Sequence, residues 1–418
     1  MKQAEIIAVG SELLTPHRLD TNSLFLTEEL NRLGVNVVRK TVVGDDRQRL
    51  REAFRQALER ADLVISTGGL GPTEDDLTRE AVAELLARKL VPDERVLEHI
   101  RERFARLGRT MTPNNERQAL VPEGALVLAN DAGTAPGLWL EAGDRVLVLL
   151  PGPPREARAV FAAHVRALVD RRSGPERMRS RWLRTTGLTE SEVDHRIAAI
   201  YRSAPGVETT ILSSHGEIEI HLRLWSAEAD AADGVLEELT GKIAQALGEA
   251  VFSTRGESIE EVVARELQLA GATIAVAESC TGGLVSERLT TLPGSSLFFR
   301  GGIVSYSNDL KTAWVNVPAE LIAQHGAVSA EVALAMAEGV RRSADATLGV
   351  GITGIAGPGG GTPEKPVGTV HVSLADATSG RERGLRLGGD RERIRQMASQ
   401  IALDMVRRHL WRVRRGRG

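Results

Sequence analysis

The sequence of 418 residues contains one cysteine, Cys280, and this scarcity excludes two classes of protein. A single thiol forms no internal disulfide framework and cannot build a cysteine-ligated zinc site. No apolar run approaches the ~18 residues of a membrane span. The run at residues 6–10 is broken by Glu12 and is too short for a signal peptide. We therefore expect a cytoplasmic protein without membrane association.

Lysine is also rare, because only six of the 53 basic residues are lysines. Arginine does not deprotonate in proteins whereas lysine does, so a retained lysine carries information about its position. Two of them, Lys311 and Lys365, lie in polar or glycine-rich segments of the C-terminal half. The formal net charge of −3 gives no overall attraction to nucleic acid or to an anionic membrane. We interpret the basic stretch at residues 407–418 as a solvated, partly disordered end.

The order of strand and helix patterns predicts an α/β protein with three regions. Residues 1–170 alternate short strands with amphipathic helices, which favours a parallel-sheet domain. Residues 171–255 follow the β-α-β-β-α order of a small α+β module. Residues 256–418 form a second α/β domain, and residues 253–258 are predicted to be the hinge before it. Predicted strands lie at residues 5–10, 35–44, 63–69, 125–129, 146–150, 182–186, 209–213, 217–224, 273–277, 302–306, 347–352, 368–374 and 384–387.

The segment A-E-S-C-T-G-G-L at residues 277–284 lies where a strand gives way to a helix. This position puts a side chain at the open edge of a parallel sheet, where the helix N-terminus also supplies backbone N–H groups. Ser279 and Cys280 are alternative nucleophiles, and only one of them reaches a ligand because neighbouring strand residues face opposite sides. A lone buried cysteine usually acts as a small apolar residue, which favours Ser279.

A serine nucleophile needs a base, and the segment G-G-I-V-S-Y-S-N-D-L-K at residues 301–311 offers Tyr306 and Lys311. A desolvated lysine has a pKa low enough to accept the proton of a serine hydroxyl. The alternative, an N-cap serine and an exposed lysine, has equal weight on spacing alone. His325 and His371 are rival bases, but neither has a carboxylate at triad-like spacing.

In the N-terminal region, the segment S-T-G-G-L-G-P-T-E-D-D at residues 66–76 follows a strand and opens a helix. Glycine-rich turns at this position bind phosphate through backbone N–H groups. No Gly-Lys-Ser/Thr follows, so the segment is not a Walker loop. Its acidic residues indicate a divalent cation that offsets phosphate charge, or simply a helix start whose acids complement the dipole. The predicted phosphate-binding residues are Thr67, Gly68, Gly69 and Gly71.

Taken together, these segments resemble the CinA family. In the C-terminal half the resemblance also rests on H-G-A-V-S at 325–329 and on I-T-G-I-A-G-P-G-G-G-T-P-E-K-P-V-G-T-V at 352–370. The T-G-G-L-G motif resembles that of molybdopterin-binding proteins, and the middle region resembles a KH-type fold. The other N-terminal segments are G-S-E-L-L at 10–14, D-T-N-S at 20–23, V-G-D-D at 43–46, G-T-A-P-G at 133–137 and L-P-G-P-P-R-E at 150–156.

For the C-terminal domain the resemblance implies a nicotinamide mononucleotide deamidase that needs no cofactor. Its catalytic residues would be Ser279, Tyr306 and Lys311, with the proton passing through the last two. Backbone amides near Gly282 and Gly283 are expected to hold the oxyanion. The predicted substrate-binding residues, including a phosphate cradle in the glycine-rich loop, are Thr281, Gly282, Gly283, Ser295, Ser296, Arg300, Thr353, Gly354, Gly357, Gly359 and Gly360.

For the N-terminal domain the resemblance implies a metal-dependent pyrophosphatase that cleaves ADP-ribose to AMP and ribose 5-phosphate. The protein would then be a bifunctional enzyme of pyridine-nucleotide recycling, expected as a homodimer. A divalent metal cation is the expected cofactor of this domain, and the sequence does not separate the roles of its candidate ligands. These candidates are Glu12, Asp45, Asp75, Asp76 and Glu156.

Two other interpretations stay open. One is a competence or DNA-damage accessory protein that binds a nucleic-acid-processing partner, and the other is a pterin-binding module with a degenerate amidase. Residues 171–255 lack the G-x-x-G loop with which KH domains clamp a nucleic-acid backbone. Direct nucleic-acid binding is therefore not expected, and the middle module is expected to space, orient or dimerise the enzymes.

Overall fold

The computed structural model describes residues 1–214 and 216–416. The chain divides into two compact units, one of Met1–Arg179 with Trp225–Ala232 and one of Ser180–Leu224 with Asp233–Gly418. Both contain mixed α/β structure with parallel strands or a small α+β sheet, as the sequence predicts. No helix in the described part of the chain is both long enough and apolar enough to cross a membrane.

The first unit alternates strands with helices. Its strands are β1 (Gln3–Val9), β2 (Asn36–Val43), β3 (Leu63–Thr67), β4 (Leu90–Pro92), β5 (Leu120–Pro122), β6 (Leu126–Leu128), β7 (Gly137–Ala142) and β8 (Arg145–Leu150). Its helices are α1 (Thr21–Arg32), α2 (Arg47–Arg60), α3 (Thr78–Leu85), α4 (Glu94–Arg106), α5 (Pro154–Val160) and α6 (Arg166–Asp170).

Six of these strands form one sheet with the order β2-β1-β3-β8-β7-β6. The first four are parallel, and β7 and β6 extend the sheet in antiparallel fashion. Ile6 and Ile65 pack on one face with α1 and α5, whereas Ile7 and Val64 pack on the other with α2 and α3. Neighbouring strand residues thus supply two separate cores, as expected for a sheet covered on both faces.

The middle module follows the predicted order of elements. It comprises β9 (Arg177–Thr186), α7 (Glu190–Arg202), β10 (Glu208–Ser214), β11 (Glu217–Ser226), α8 (Ala229–Leu247) and β12 (Val251–Ser253). Its sheet has the order β10-β11-β9-β12. Alternating residues of β11, among them Ile218 and Ile220, pack in one core with Ile197 and Ile243 of the two helices.

The C-terminal domain is a second helix-covered sheet. Its strands are β13 (Ile274–Glu278), β14 (Phe299–Val304), β15 (Leu348–Gly354), β16 (Thr369–Ala375) and β17 (Gly380–Arg386). Its helices are α9 (Ile259–Ala270), α10 (Leu284–Thr290), α11 (Asn308–Val315), α12 (Ala319–His325), α13 (Ala330–Ser343) and α14 (Arg391–Arg415). The strand order is β14-β13-β15-β16-β17, with the first three parallel and the last two antiparallel.

The segment at residues 253–258, which stays a predicted hinge, forms a turn in which Ser253 Oγ accepts the N–H groups of Arg255 and Glu257, both at 3.1 Å. The basic C-terminal stretch is helical as far as Arg415. Its charges are partly compensated, since Arg414 pairs with Glu266 at 2.9 Å. The last two residues of that prediction, 417 and 418, lie outside the described residues.

Candidate active site

Ser279 follows the last residue of β13, at the carboxyl edge of the C-terminal sheet. Its N–H donates to Ile352 O of β15 at 2.9 Å, so its backbone is fixed to the neighbouring strand. The chain leaves β13 for β14 on one side and later reaches β15 on the other. This is a topological switch point, where open α/β sheets bind ligands. The side chain keeps 8% exposure.

The Lys311 amine lies beside the Ser279 hydroxyl. Lys311 comes from the first turns of α11, which Ser307 caps by accepting Leu310 N–H. The distance from Lys311 Nζ to Ser279 Oγ is 3.2 Å, and Nζ also donates to Ser305 O at 3.0 Å and to Tyr306 O at 3.1 Å. The segment that follows β14 therefore delivers the amine to the end of β13.

Burial lowers the pKa of Lys311, and the nearby Cys280 thiol opposes this effect only in part. The lysine is 1% exposed, and the described residues give its amine no carboxylate partner. A neutral amine has two N–H donors and one lone pair. Two carbonyl acceptors and one hydroxyl donor match this inventory, so the site favours the uncharged form that accepts a proton.

Cys280 turns the other way. It packs in the hydrophobic core with Val276, Ile352 and Ala356. Burial raises the pKa of its thiol to about 12. Because the thiolate is the nucleophilic form of cysteine, this thiol is inert near neutral pH, and Ser279 is the nucleophile that the geometry favours.

A buried carboxylate fixes the turn that carries Ser279. Glu278 has no exposed surface and accepts Gly283 N–H at 3.0 Å, Val285 N–H at 3.2 Å and Ser286 N–H at 2.9 Å. It therefore occupies the N-terminal amides of α10. Gly282 N–H also has a partner, Ser279 O at 3.1 Å.

This arrangement corrects the oxyanion prediction. The N–H groups of Gly282 and Gly283 already donate hydrogen bonds within the turn, so they are not free to bind an oxyanion. Sequence reasoning missed the cap because it placed Glu278 in the turn after the predicted strand at residues 273–277 and gave it no role. A carboxylate directly before a strand-to-helix turn is the signal that indicates it.

Tyr306 lies at the mouth of the site. Its phenol is 56% exposed and accepts a hydrogen bond from Arg391 Nη2 at 3.0 Å, while Arg391 Nη1 donates to Gly357 O at 2.8 Å. Among the described contacts, Tyr306 reaches Lys311 through its main-chain carbonyl and not through its phenol. Its hydroxyl thus lies at the mouth of the site, and the described contacts give it no bond to Lys311 Nζ or to Ser279 Oγ.

Two arginines of α14 that sequence reasoning missed frame the site. Arg391 links Tyr306 to the glycine-rich loop, and Arg395 donates to Thr281 O at 3.1 and 2.8 Å. Arg391 is 85 residues from Tyr306 along the chain, and Arg395 is 114 residues from Thr281. Their signal in the sequence is weak, since arginine is abundant everywhere in it.

The remaining predicted residues of the C-terminal site divide into two groups. Thr353 and Gly354 end β15 beside Ser279, and Thr353 Oγ1 donates to Ala327 O at 2.8 Å. The loop that follows is held by Lys365, whose amine donates to His325 O at 2.8 Å and Val328 O at 2.7 Å. Exposed residues of this loop include Gly359 and Gly360. Thr281 is buried, and its hydroxyl has no hydrogen-bond partner among the described residues.

The second group lies at the opposite edge of the sheet. Ser295, Ser296 and Arg300 surround the start of β14, where Phe299 pairs with Ile274 at the beginning of β13. Five strand residues separate this level from Ser279, which is about 16 Å. Arg300 instead donates to Ala344 O at 3.1 Å. These three predicted phosphate ligands therefore do not reach the Ser279 site of the same chain.

The two rival histidines each have a carboxylate partner that sequence spacing did not reveal. His371 Nδ1 lies 2.7 Å from Glu382 Oε1, and His325 Nδ1 lies 3.5 Å from Glu331 Oε1. Among the described contacts, neither ring bonds Ser279. The base beside the serine is the lysine.

The first unit carries a cavity of about 560 Å³ at the carboxyl ends of β1 and β3. It is lined by every acidic candidate metal ligand and every predicted phosphate-binding residue of this domain. These are Glu12, Asp45, Asp75, Asp76 and Glu156, together with Thr67, Gly68, Gly69 and Gly71.

The glycine-rich turn of this cavity is held by its backbone. Gly68 adopts a φ of 101°, and a Cβ there would lie 2.1 Å from Val9 O, so only glycine fits. Arg79 is 1% exposed and donates to Leu70 O at 2.7 Å and Gly71 O at 3.1 Å. Sequence reasoning missed this arginine, whose pKa is lowered by burial.

The acidic residues already have local partners. Asp45 accepts Ser11 N–H at 2.7 Å, Asp76 accepts Thr73 N–H at 2.9 Å, and Glu156 accepts Asn130 Nδ2–H at 2.7 Å. Within residues 1–214 and 216–416, no three acidic, histidine or cysteine side chains are close enough to hold a metal ion by themselves. Carboxylates are nevertheless the donors that Mg²⁺ prefers, and Mg²⁺ is often bound by one or two of them with substrate phosphates and water. The donor set fits a cation shared with a phosphate ligand and not an all-protein cage.

Fold and sites define a protein with a molybdopterin-binding-like domain, a KH-like module and a C-terminal α/β domain. Residues 5–171 match the model "Probable molybdopterin binding domain", residues 180–253 match "Damage-inducible protein CinA KH domain", and residues 256–410 match "CinA C-terminal domain". A CinA-like protein of Solibacter usitatus is 48% identical over 97% of this chain and 98% of its own. The chain belongs to the CinA family.

Two further proteins are similar to this chain. A CinA-like protein of Acidobacterium capsulatum is 50% identical over 97% of this chain and 99% of its own. The crystal structure of competence/damage inducible protein CihA from Agrobacterium tumefaciens is 38% identical, covers 36% of this chain and 94% of that chain, and has a TM-score of 0.35.

Proposed function

We propose that the C-terminal domain is a serine amidase that hydrolyses nicotinamide mononucleotide to nicotinate mononucleotide and ammonia. The observation that carries this proposal is the 3.2 Å contact between the buried Lys311 amine and the Ser279 hydroxyl. A serine is activated when an adjacent base takes its proton, and a desolvated lysine is such a base. The resemblance of the surrounding segments to the CinA family supplies the substrate.

In the proposed reaction Ser279 Oγ attacks the carboxamide carbon while Lys311 Nζ accepts the hydroxyl proton. The negative charge that develops on the carbonyl oxygen is held by the N–H of Cys280, the residue directly after the nucleophile, as in other serine hydrolases. Lys311 then gives its proton to the departing nitrogen, and ammonia leaves an acyl-enzyme. A water molecule loses a proton to Lys311, attacks the ester and returns Ser279 as the free hydroxyl.

The polar mouth of the site suits the nucleotide part of this substrate. Arg391 has an exposed guanidinium between the Tyr306 phenol and the glycine-rich loop. A guanidinium binds phosphate through two parallel hydrogen bonds. We therefore assign Tyr306 and Arg391 to substrate binding, with the loop that contains Gly357, Gly359 and Gly360 beside them.

The decisive measurement is ammonia released from nicotinamide mononucleotide by the purified protein. We expect release by the wild-type protein and by Cys280→Ala, and none above background from Ser279→Ala. If Ser279→Ala retained wild-type release, another residue would be the nucleophile. If none of the three released ammonia, while the protein retained DNA in a salt-sensitive manner, the nucleic-acid accessory interpretation would replace this one.

We propose a second activity, metal-dependent cleavage of ADP-ribose to AMP and ribose 5-phosphate, for the N-terminal cavity. The specific observation in its favour is that the acidic and glycine-rich segments line one cavity of about 560 Å³. Backbone N–H groups of Gly68 and Gly69 would bind the diphosphate, while Asp45, Asp75 and Asp76 face it. A divalent cation, when bound, would neutralise phosphate charge and polarise a phosphoryl oxygen.

This second proposal predicts AMP formation from ADP-ribose when Mg²⁺ or Mn²⁺ is added and none in the presence of a chelator. If ADP-ribose stayed intact with either metal, the N-terminal domain would be a binding module and not a pyrophosphatase.

We also propose that the protein is a homodimer, and light scattering coupled to size-exclusion chromatography measures its mass directly. A monomeric mass at micromolar concentration would contradict this.

A further inference from the structure

We propose that a further cavity, which shares no lining residue with the two sites above, binds a nucleoside diphosphate or triphosphate. It lies in the second unit between the middle module and the C-terminal domain, and it has a volume of about 570 Å³. This volume is in the range of ordinary small-ligand sites. Its walls differ in character, since one is basic and another is apolar.

The basic wall has more positive charge than its own carboxylates compensate. Arg196 of α7 and Arg381 and Arg383 of β17 line the cavity, and none has a carboxylate within ion-pair distance in the described part of the chain. Two further arginines, Arg408 and Arg412, pair with Glu249 at 3.3 and 3.5 Å.

The only other carboxylate on the lining, Glu382, is engaged by His371 Nδ1 at 2.7 Å. Arg408 also pairs with Asp404 at 2.7 Å, so the lining arginines without an ion-pair partner among the described residues are Arg196, Arg381 and Arg383. Unpaired guanidinium groups gathered around one cavity repel each other, and a phosphate chain removes that repulsion while forming charge-assisted hydrogen bonds.

The apolar wall makes a nucleotide a better occupant than inorganic phosphate. Leu188, Leu247, Leu374 and Met405 line the same cavity and offer a surface on which a base can pack. Methionine and leucine side chains accept a planar ring without a fixed hydrogen-bond pattern. The arginine wall would then bind the phosphates.

The cavity is separate from the Ser279 site. Arg395, which bonds the turn after Ser279, and Arg408, which lines the cavity, are 13 residues apart on α14, or about 20 Å along the helix. Nothing in the proposed amidase reaction uses this second position, so the proposal does not depend on that reaction.

The test is calorimetric titration of the full-length protein with ADP and with inorganic pyrophosphate, without added metal. We expect Arg383→Glu to weaken one ADP-binding event at least tenfold, which is about 1.4 kcal/mol. Arg342→Glu is the matched control, because it makes the same charge change on an exposed arginine of α13 outside the cavity. It should leave every binding event unchanged, and ammonia release should be unchanged in both variants.

Three outcomes would overturn the proposal. ADP titrations that are identical for the wild-type protein and Arg383→Glu would show that the cavity takes no nucleotide. Pyrophosphate binding as tight as ADP binding would show that the apolar wall contributes nothing. An oligothymidylate that binds through Arg383 while ADP does not would assign the basic wall to a nucleic-acid backbone instead.

Discussion

At the scale of single residues, the proposed amidase reaction depends on how many hydrogen bonds the uncharged amine of Lys311 can make. Lys311 donates to two main-chain carbonyls and meets one hydroxyl. A charged ammonium at the same place would have three donors and no carboxylate to balance its charge. The burial that lowers the pKa of Lys311 therefore favours the proposed reaction but lowers the stability of the fold.

The first prediction concerns Lys311→Met. A lysine whose pKa is lowered in the folded state binds more protons when unfolded, so its contribution to stability rises with pH between the folded and unfolded pKa values. The slope is about 1.4 kcal/mol per pH unit. We expect the methionine variant to lose ammonia release and to unfold at a higher temperature than wild type at pH 7. The gain should shrink as the pH approaches the unfolded pKa.

Thermal unfolding at several pH values, together with ammonia release, checks this prediction. Lys242→Met is the control, since Lys242 is exposed and pairs with Glu238 at 2.7 Å. Lys242→Met should change neither the unfolding temperature nor the ammonia release appreciably. Retained amidase activity in Lys311→Met would mean that the lysine is not the base.

The second prediction concerns the activity profile of the wild-type protein. Activity requires neutral Lys311, so kcat/KM should fall as the pH falls through the lowered pKa of this lysine. Ser279→Cys would change the nucleophile but should keep the acid limb. A profile without an acid limb would contradict a lysine base.

The third prediction concerns Glu278→Gln, which keeps the size of the side chain but removes the charge that three N–H groups and the Ser286 hydroxyl now meet. Buried charge-assisted hydrogen bonds are worth about 1.5–3 kcal/mol each. We expect a kcat reduced by about tenfold or more with little change in KM, because the turn positions Ser279 and does not touch substrate. A variant that lost substrate affinity alone would assign Glu278 to binding.

Sequence reasoning located the reactive pair but not its surroundings. Lys311 stands out because lysine is rare in this chain, and Ser279 stands out because it lies at a strand-to-helix boundary, where a topological rule places ligand sites. Arg391 and Arg79 do not, because arginine is the common basic residue of this chain, and Arg391 also lies 85 residues from its partner Tyr306. The occupied amides of Gly282 and Gly283 depend on side-chain direction, which a motif does not contain.

At the scale of elements, a partly buried charge cluster joins the middle module to the C-terminal domain. Arg184 of β9 pairs with Glu217 at 3.1 Å and Glu219 at 3.0 Å, both on β11. Arg288 of α10 pairs with Glu260 of α9 and donates to Gln400 of α14 at 2.7 Å. Burial raises the pKa of Glu217 to about 7, against the opposing effect of Arg184.

The fourth prediction concerns this cluster. A carboxyl whose pKa is raised in the folded state stabilises the fold below its unfolded pKa of about 4.5, and that contribution is lost as the pH rises through 7. Glu217→Gln should therefore raise the unfolding temperature at pH 8 and change it little at pH 5. Glu238→Gln, an exposed substitution on α8, is the control. An equal effect at both pH values would show that burial does not shift the titration of Glu217.

Long, strongly patterned elements followed from the sequence, and so did the short edge strand β6, whereas three other strands of the first unit did not. The buried run of β3 and the alternation of β11 predicted strands that the structure confirms. The three-residue strands β4 and β5 pair only with each other, so no periodicity marks them. Strand β7 was also missed, because its residues alternate too little to be told from a loop before β8.

At the scale of the whole molecule, the two large domains place their candidate sites by the same topological device. In the strand orders β2-β1-β3 and β14-β13-β15, the chain leaves the central strand to form its neighbour on one side and later forms the neighbour on the other side. Each site lies where the first central strand ends, at Gly10 in one domain and at Ser279 in the other. The sites share no residue and belong to different units.

The last prediction follows from this separation. Ser279→Ala should abolish ammonia release and leave ADP-ribose cleavage at its wild-type rate, whereas Asp76→Asn should do the reverse. Asp76 lies in the N-terminal cavity and accepts Thr73 N–H, and Ser279 lies in the other unit, so neither substitution removes a contact of the other site. The effects of mutations without shared partners add in free energy. The double variant should therefore lose both activities, each to the same extent as in the corresponding single variant. Loss of both activities in a single variant, with an unchanged unfolding temperature, would mean that the domains work as one catalytic unit.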